Sequence, residues 1–336
     1  MRITKEAMLR LARDTAVLRA NQDRSIICIY LSGSLISEDP FLGGSTDIDL
    51  FVIHSGRPVQ NREILYLNDD VSLDIAHIEQ SRFEQPRHLR ADAWLGPFLC
   101  AKPRVLYDTQ HWFEFTEASV AAQFYRPEYV LERARPLEAA ARQTWMDFHL
   151  AQPEVSPGNV LRYLRAIENA GNAIALMTGT PLTERRFMLA LPDRLSKINR
   201  DVLKERFEKL ILSSPVSDLD WTQWITQWEA AIQQMESSEK CPLELSKPRW
   251  NYYVKAVTAL SVEAPCAAAW ILMKTWSQAV SLLPSESPFC RTWQTACASF
   301  LNIQDSFLPI WGDLDSVLDG VEESLDGFAA ENGLAE

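Results

Sequence analysis

Asp47 and Asp49 stand two residues apart in a run that is otherwise apolar: Ile48, Leu50, Phe51 and Val52. In a β-strand alternate side chains share a face, so the two carboxylates project together while Ile48 and Leu50 turn into a core. Two carboxylates on one face repel unless a cation lies between them. Magnesium binds carboxylates and substrate phosphates at once, so the pair suits a metal–nucleotide site. A third carboxylate, Asp74, lies in Ser72-Leu73-Asp74-Ile75-Ala76. Its apolar neighbours place it in a strand, where a buried acid is costly without a cation or hydrogen-bond donors. If that strand lies beside the first, three carboxylates converge, a set able to hold two metal ions. Upstream, Gly33-Ser34 follows an apolar run. A glycine there lets a phosphate approach the backbone, and the Ser34 hydroxyl and nearby amides can donate to phosphate oxygens.

The elements that must carry these residues are legible as hydrophobic patterns. Residues 4–20 place Met8, Leu11, Val17 and Leu18 near helical spacing, and residues 25–31 are a short, isoleucine-rich run of buried-strand type. Asp47 to Ile53 is the aspartate strand. Glu63 to Leu67 and Val71 to Ile78 flank Asn68-Asp69-Asp70, a turn between two strands. Arg90 to Cys100 reads as helical and Arg104 to Tyr107 as a last strand. After about residue 115 the patterns become helical: Tyr129 to Phe148, Gly158 to Thr178, Asp201 to Leu212 and Asp218 to Met235. Gly179, with Pro181 beyond it, reads as a helix C-cap. Asp313 to Glu336 is an acidic helix that frays. The fold class expected is therefore α+β: a small mixed-sheet core over residues 1–115, followed by an all-α domain over 116–336.

Gly33-Ser34, twelve intervening residues, Asp47-Ile48-Asp49-Leu50 and then Asp74 in a later strand together resemble the DNA polymerase beta-type nucleotidyltransferase superfamily. The aminoglycoside nucleotidyltransferase-like members, which add a helical C-terminal domain, are the nearest in flavour. The resemblance covers residues 25–108. It implies that Asp47 and Asp49 bind two Mg²⁺ ions, that Asp74 binds the catalytic one, and that Gly33 and Ser34 hold the triphosphate. It also implies in-line attack of an acceptor hydroxyl on the α-phosphate of a nucleoside triphosphate, ATP by default, with pyrophosphate leaving. One departure stands out. Many small members carry an arginine after Gly-Ser, whereas no Lys or Arg lies between Ser34 and Asp47. The triphosphate charge must then be met from elsewhere in the chain.

The chain has 336 residues and a formal net charge of -12, which disfavours a sequence-independent grip on nucleic acid and favours a small, even cationic, acceptor. A polar N-terminus without an apolar signal segment, and apolar runs shorter than a bilayer span (the longest is Ala264 to Met273), point to a cytoplasmic protein with no membrane partner. The six cysteines show no C-x-x-C spacing and read as buried thiols. His77 and Glu79 could act as general base but read as ordinary strand residues. Glu168 could reach the acceptor, against the plainer reading of a salt-bridged surface glutamate. Arg185-Arg186 could clamp phosphate, against a solvated helix start. Trp221, Trp224 and Trp228 form one helical stripe that reads as core packing, and Asp313, Asp315 and Asp319 as a solvated face. The helical domain is expected to bind the acceptor or to form a homodimer. A non-catalytic module that binds nucleotide or protein on the same fold is the competing expectation. Replacing Asp47 or Asp49 by alanine is expected to abolish Mg²⁺-dependent nucleotide binding or turnover and leave the fold intact, because it removes like-charge repulsion.

Overall fold

Strand parity decides the sheet. In the computed structural model, which describes residues 4–236 and 241–334, five strands form one mixed sheet. They are β1 (Ile26–Ser32), β2 (Thr46–His54), β3 (Arg62–Asn68), β4 (Val71–Glu79) and β5 (Arg104–Asp108), in the order β3-β4-β2-β1-β5. Only β2 and β4 run parallel; the remaining pairings are antiparallel. One face buries Ile29, Leu31, Ile48, Leu50, Val52, Leu73 and Ile75 beneath the helix α1 (Lys5–Gln22). Complete burial of a side chain such as Ile48 or Leu50 contributes roughly 1.5–3 kcal/mol. A one-residue slip of β2 would turn these residues outward and drive the aspartates into the core, so the register is strongly specified. The other face packs Tyr30, Phe51 and Ile53 against Phe83, Leu89, Leu99 and Phe113. Those come from the segment containing α2 (Pro86–Ala91), α3 (Leu95–Cys100) and α4 (Trp112–Phe124). The mixed sheet followed by helices is the α+β class expected.

Local differences have physical causes. The buried face of α1 is Met8, Ala12, Ala16 and Ala20, while Val17 and Leu18 are half exposed. Alanines at i, i+4 spacing let the helix lie close on the sheet, which bulkier residues would prevent. The stretch read as one helix from Arg90 is two, broken at Asp92, whose carboxylate accepts from the amides of Trp94 and Leu95. An aspartate that binds its own downstream amides offers the backbone an alternative to the helix.

At the far end of β2 from the aspartates lies a chain of polar side chains. Ser25 Oγ is 2.9 Å from His54 Nδ1, His54 Nε2 is 2.9 Å from His77 Nδ1, and His77 Nε2 is 3.1 Å from Glu63, which pairs with Arg19. His77 is thus a network residue, not a plain strand position. Burial, and secondarily His77, lowers the pKa of His54 below 6.5. The unfolded chain then binds the extra proton first, so stability falls as pH drops below about 6.5, down to the folded-state pKa. Urea unfolding between pH 7.5 and 5 should show that loss, and His54→Gln should flatten it. An unchanged slope in the variant would assign the pH dependence elsewhere.

The chain divides into two units, Met1–Tyr129 with Lys247–Lys255, and Val130–Ser246 with Ala256–Glu336. The second is helical. Its elements are most of α5 (Pro127–Ala151), then α6 (Pro157–Thr178), α7 (Phe187–Lys197), α8 (Val202–Ile211), α9 (Trp221–Glu236), the later part of α10 (Trp250–Glu263), α11 (Pro265–Val280), α12 (Pro288–Leu301) and α13 (Trp311–Glu331). Its centre is α11, buried from Ala267 to Met273. The apolar run weighed above for membrane length is therefore a core helix, and no helix among the described residues is long and apolar enough to cross a membrane. Trp228 is fully buried and donates to Thr275 Oγ1 at 3.0 Å, and Trp224 packs on Trp276 and Phe300, so the tryptophan stripe is core.

Asp315 and Asp319 pair with Arg142, and Asp313 with Lys209. The last two residues of the acidic tail, like Met1 to Ile3, lie outside the described residues. Gly179 does end α6, but with extended backbone. Its requirement is space, since a Cβ there would lie 2.1 Å from Arg194 Nη1. All six cysteines are free, four of them buried.

Candidate metal centre

The parallel pairing of β2 with β4 sets Asp49 opposite Asp74 and Asp47 opposite Ser72. All these side chains therefore share one sheet face. Asp47, Asp49 and Asp74 each offer a carboxylate oxygen within 4.8 Å of the others. Asp47 and Asp74 are buried and Asp49 is half-buried at the residue level. Three carboxylates so close are hard oxygen donors of the kind magnesium or calcium takes.

Gly33 sits directly on this cluster. It follows β1 and precedes a short 3-10 turn, Ser34–Ile36. Its backbone, φ +74° and ψ -158°, lies in a region open essentially to glycine alone. A Cβ on Gly33 would stand 1.8 Å from Asp49 Oδ2. The glycine thus makes room for the carboxylate itself. Ser34 opens the turn, its hydroxyl 3.3 Å from that of Thr46, the residue before Asp47. Gly33, Ser34, Asp47, Asp49 and Asp74 are thereby brought to one end of the sheet.

Two arginines complete the cluster, and neither was anticipated. Arg62 on β3 donates to both oxygens of Asp74, Nε to Oδ1 at 2.8 Å and Nη2 to Oδ2 at 2.6 Å. Arg249 comes from the segment Lys247–Lys255, 202 positions from Asp47 in sequence. Its guanidinium bridges two of the three acids, Nη1 to Asp74 Oδ2 and Nη2 to Asp47 Oδ2, each at 2.9 Å. It is buried, with Tyr252 and Tyr253 rings 4.5 and 5.6 Å from its central carbon. Arg62 had a readable signal, since it lies on the other arm of the hairpin around Asn68-Asp69-Asp70. Arg249 had none, because its role exists only through a long-range contact.

The bridge alters one expectation. Alanine at Asp47 would strand half of a buried guanidinium, so loss of Asp47 is expected to destabilise the fold, in contrast to the charge relief argued from the acids alone.

Three carboxylates face two guanidiniums, which leaves one negative charge uncompensated. It falls on Asp49, whose side chain makes no hydrogen bond or ion pair among the described residues. Burial, with Asp47 and Asp74 close by, holds its carboxyl well above the usual carboxylate range. Two hydroxyls next to the acids also lack partners. The hydroxyls of Ser32, opposite Asp49, and of Ser72, opposite Asp47, are buried and unbonded. A half-buried acid without a donor and two orphaned hydroxyls fit a site that takes a cation with its oxygen ligands. Comparison with protein families and with curated proteins returns no match for this chain.

The remaining candidates lie elsewhere. Glu79 ends β4, five residues beyond Asp74. Glu168 in the second unit accepts from Lys274 Nζ at 2.7 and 2.9 Å, which is the salt-bridged reading, though the pair is mostly buried. Arg185 is buried in the second unit, not a solvated helix start.

Proposed function

We propose that this chain is a cytoplasmic, magnesium-dependent nucleotidyltransferase. It would move a nucleoside monophosphate from a nucleoside triphosphate, ATP by default, to a hydroxyl of a small-molecule acceptor. The observation that carries this reading is the convergence of Asp47, Asp49 and Asp74 on one sheet face beside the Gly33–Ser34 turn. Asp47 and Asp49 would hold the metal with Asp74 as third ligand. The backbone after Gly33 and the Ser34 hydroxyl would hold the phosphates. Magnesium bound there supplies charge that polarises the α-phosphate and acidifies the attacking hydroxyl. Arg62 and Arg249 are the cationic side chains at this face, where the stretch between Ser34 and Asp47 has none, and both are paired with the acids. In the transfer, the acceptor hydroxyl oxygen would bond to the α-phosphorus as the bond to the bridging oxygen breaks, with pyrophosphate leaving and the hydroxyl proton passing to solvent.

A second reading, a nucleotide- or protein-binding module without turnover, is favoured by one observation: Arg249 bridges two of the three acids. Calorimetric titration of the four common ribonucleoside triphosphates with Mg²⁺ tests both. The nucleotidyltransferase reading expects saturable binding of at least one, lost in Asp49→Ala, and pyrophosphate release with some acceptor hydroxyl. Binding without release across a broad acceptor screen would support the module. No binding of any nucleotide would sink both as nucleotide sites.

A further inference from the structure

We propose that Arg249 is a built-in cation that closes the carboxylate site, and that a divalent metal ion and Arg249 compete for it. The proposal rests on the metal-site reading above. Its geometry is that of a cation between acids: one guanidinium, two nitrogens, each 2.9 Å from a different carboxylate that the metal would need. Asp74 Oδ2 already accepts from Arg62 Nη2 at 2.6 Å and from Arg249 Nη1 at 2.9 Å, so a divalent ion taking that oxygen meets filled lone pairs and a guanidinium of like charge.

Charge balance favours exchange. With Arg249 seated, the three acids are one positive charge short, and Asp49 is left without a partner. With a divalent ion in its place, the ion and Arg62 together match the three acids, and Asp49 gains a ligand. Arg249 would therefore hold the acids together at the expense of Asp49 in metal-free protein, and a bound metal would satisfy all three.

The segment that delivers Arg249 spans residues 247–255. Ser45 Oγ donates to the carbonyl of Tyr252 at 3.4 Å, and Lys255 pairs with Asp70. Beside it lies a cleft of about 280 Å³ lined by Tyr66, Asp69, Lys247, Pro248, Trp250 and Asn251. The residues on either side of Arg249 thus border open space into which the segment can shift. A site that is open only in a minor fraction of molecules shows an apparent affinity reduced by that fraction.

Mn²⁺ alone is the probe, with free ion counted by electron paramagnetic resonance, on the full chain of wild type, Arg249→Met and Arg249→Met/Asp49→Asn. Circular dichroism controls for folding. The expected result is Mn²⁺ binding at least about tenfold tighter in Arg249→Met than in wild type, with the gain abolished by Asp49→Asn. Equal or weaker binding in a folded Arg249→Met, with wild type binding Mn²⁺, would overturn the competition and leave the metal site standing. No Mn²⁺ bound by either would overturn the metal site itself, and the proposal with it.

A wild-type measurement stands independently of whether Arg249→Met folds. Hydrogen exchange of amides 247–255 should speed up on Mn²⁺ saturation. Unchanged or slower exchange there would show that the guanidinium stays seated, against the proposal.

Discussion

Asp49→Asn is expected to stabilise the metal-free protein while abolishing its divalent-cation binding. The two effects have opposite sign because one carboxylate serves the ligand at the expense of the fold. Asp49 lies among Asp47 and Asp74, with no hydrogen bond or ion pair of its own among the described residues, and burial holds its carboxyl well above 3.8. A carboxyl whose pKa is raised by folding favours the folded state only while protonated. Its contribution is fully present below 3.8 and is lost as pH rises through the raised value. Above that value the ionised group opposes folding, and asparagine, of the same shape, relieves the opposition.

The gain should be about 1–3 kcal/mol, the scale of an unsatisfied buried polar group. It should be read by urea unfolding in a chelator near pH 7.5, and should vanish near pH 3.5. Cation affinity should fall at least about 100-fold, since loss of even an outer partner of a metal ligand reaches that scale. A variant less stable than wild type at pH 7.5 would mean Asp49 has a partner in solution. A variant with undiminished cation affinity would remove Asp49 from the site.

Gly33→Ala is expected to disable the site from the backbone side. Its φ of +74° with ψ -158° costs any other residue about 1–3 kcal/mol. The larger effect is local, because the new Cβ would meet Asp49 Oδ2 at 1.8 Å, and the carboxylate must leave. Gly44→Ala is the matched control. Gly44 also has positive φ, +78°, but a Cβ there meets nothing within 4 Å. Both variants should lower the melting temperature, and only Gly33→Ala should lose Mn²⁺ and nucleotide binding. Equal loss in both would make the effect one of general backbone strain. Retained binding in Gly33→Ala would mean that the turn relaxes without moving Asp49.

The pattern of β2 shows why so much of this site was readable. Alternation of Asp47, Asp49 and Phe51 with Ile48, Leu50 and Val52 states both the strand and which face carries charge, because strand parity is a local property. The Asn68-Asp69-Asp70 turn in the same way placed Asp74 on the returning strand. Where local preference and packing diverge, pattern was a poorer guide. In α1 the apolar residues Val17 and Leu18 are exposed and alanines are buried, since close approach to the sheet mattered more than side-chain hydrophobicity. The part-buried polar chain from Ser25 through His54 and His77 to Glu63 was likewise invisible, because its members are brought together by pairing between strands.

What the sequence by itself determined is the residue types of the candidate site face: three acids placed on strands by a period of two, with a glycine and a serine just after the preceding strand. What only the tertiary structure decided is the charge those acids meet. The parallel register of β2 with β4 put Asp49 opposite Asp74, and the return of residues 247–255 to the first unit seated Arg249 between Asp47 and Asp74. Electrostatic pairing depends on distance in space, and a contact spanning some two hundred residues leaves no trace in local spacing.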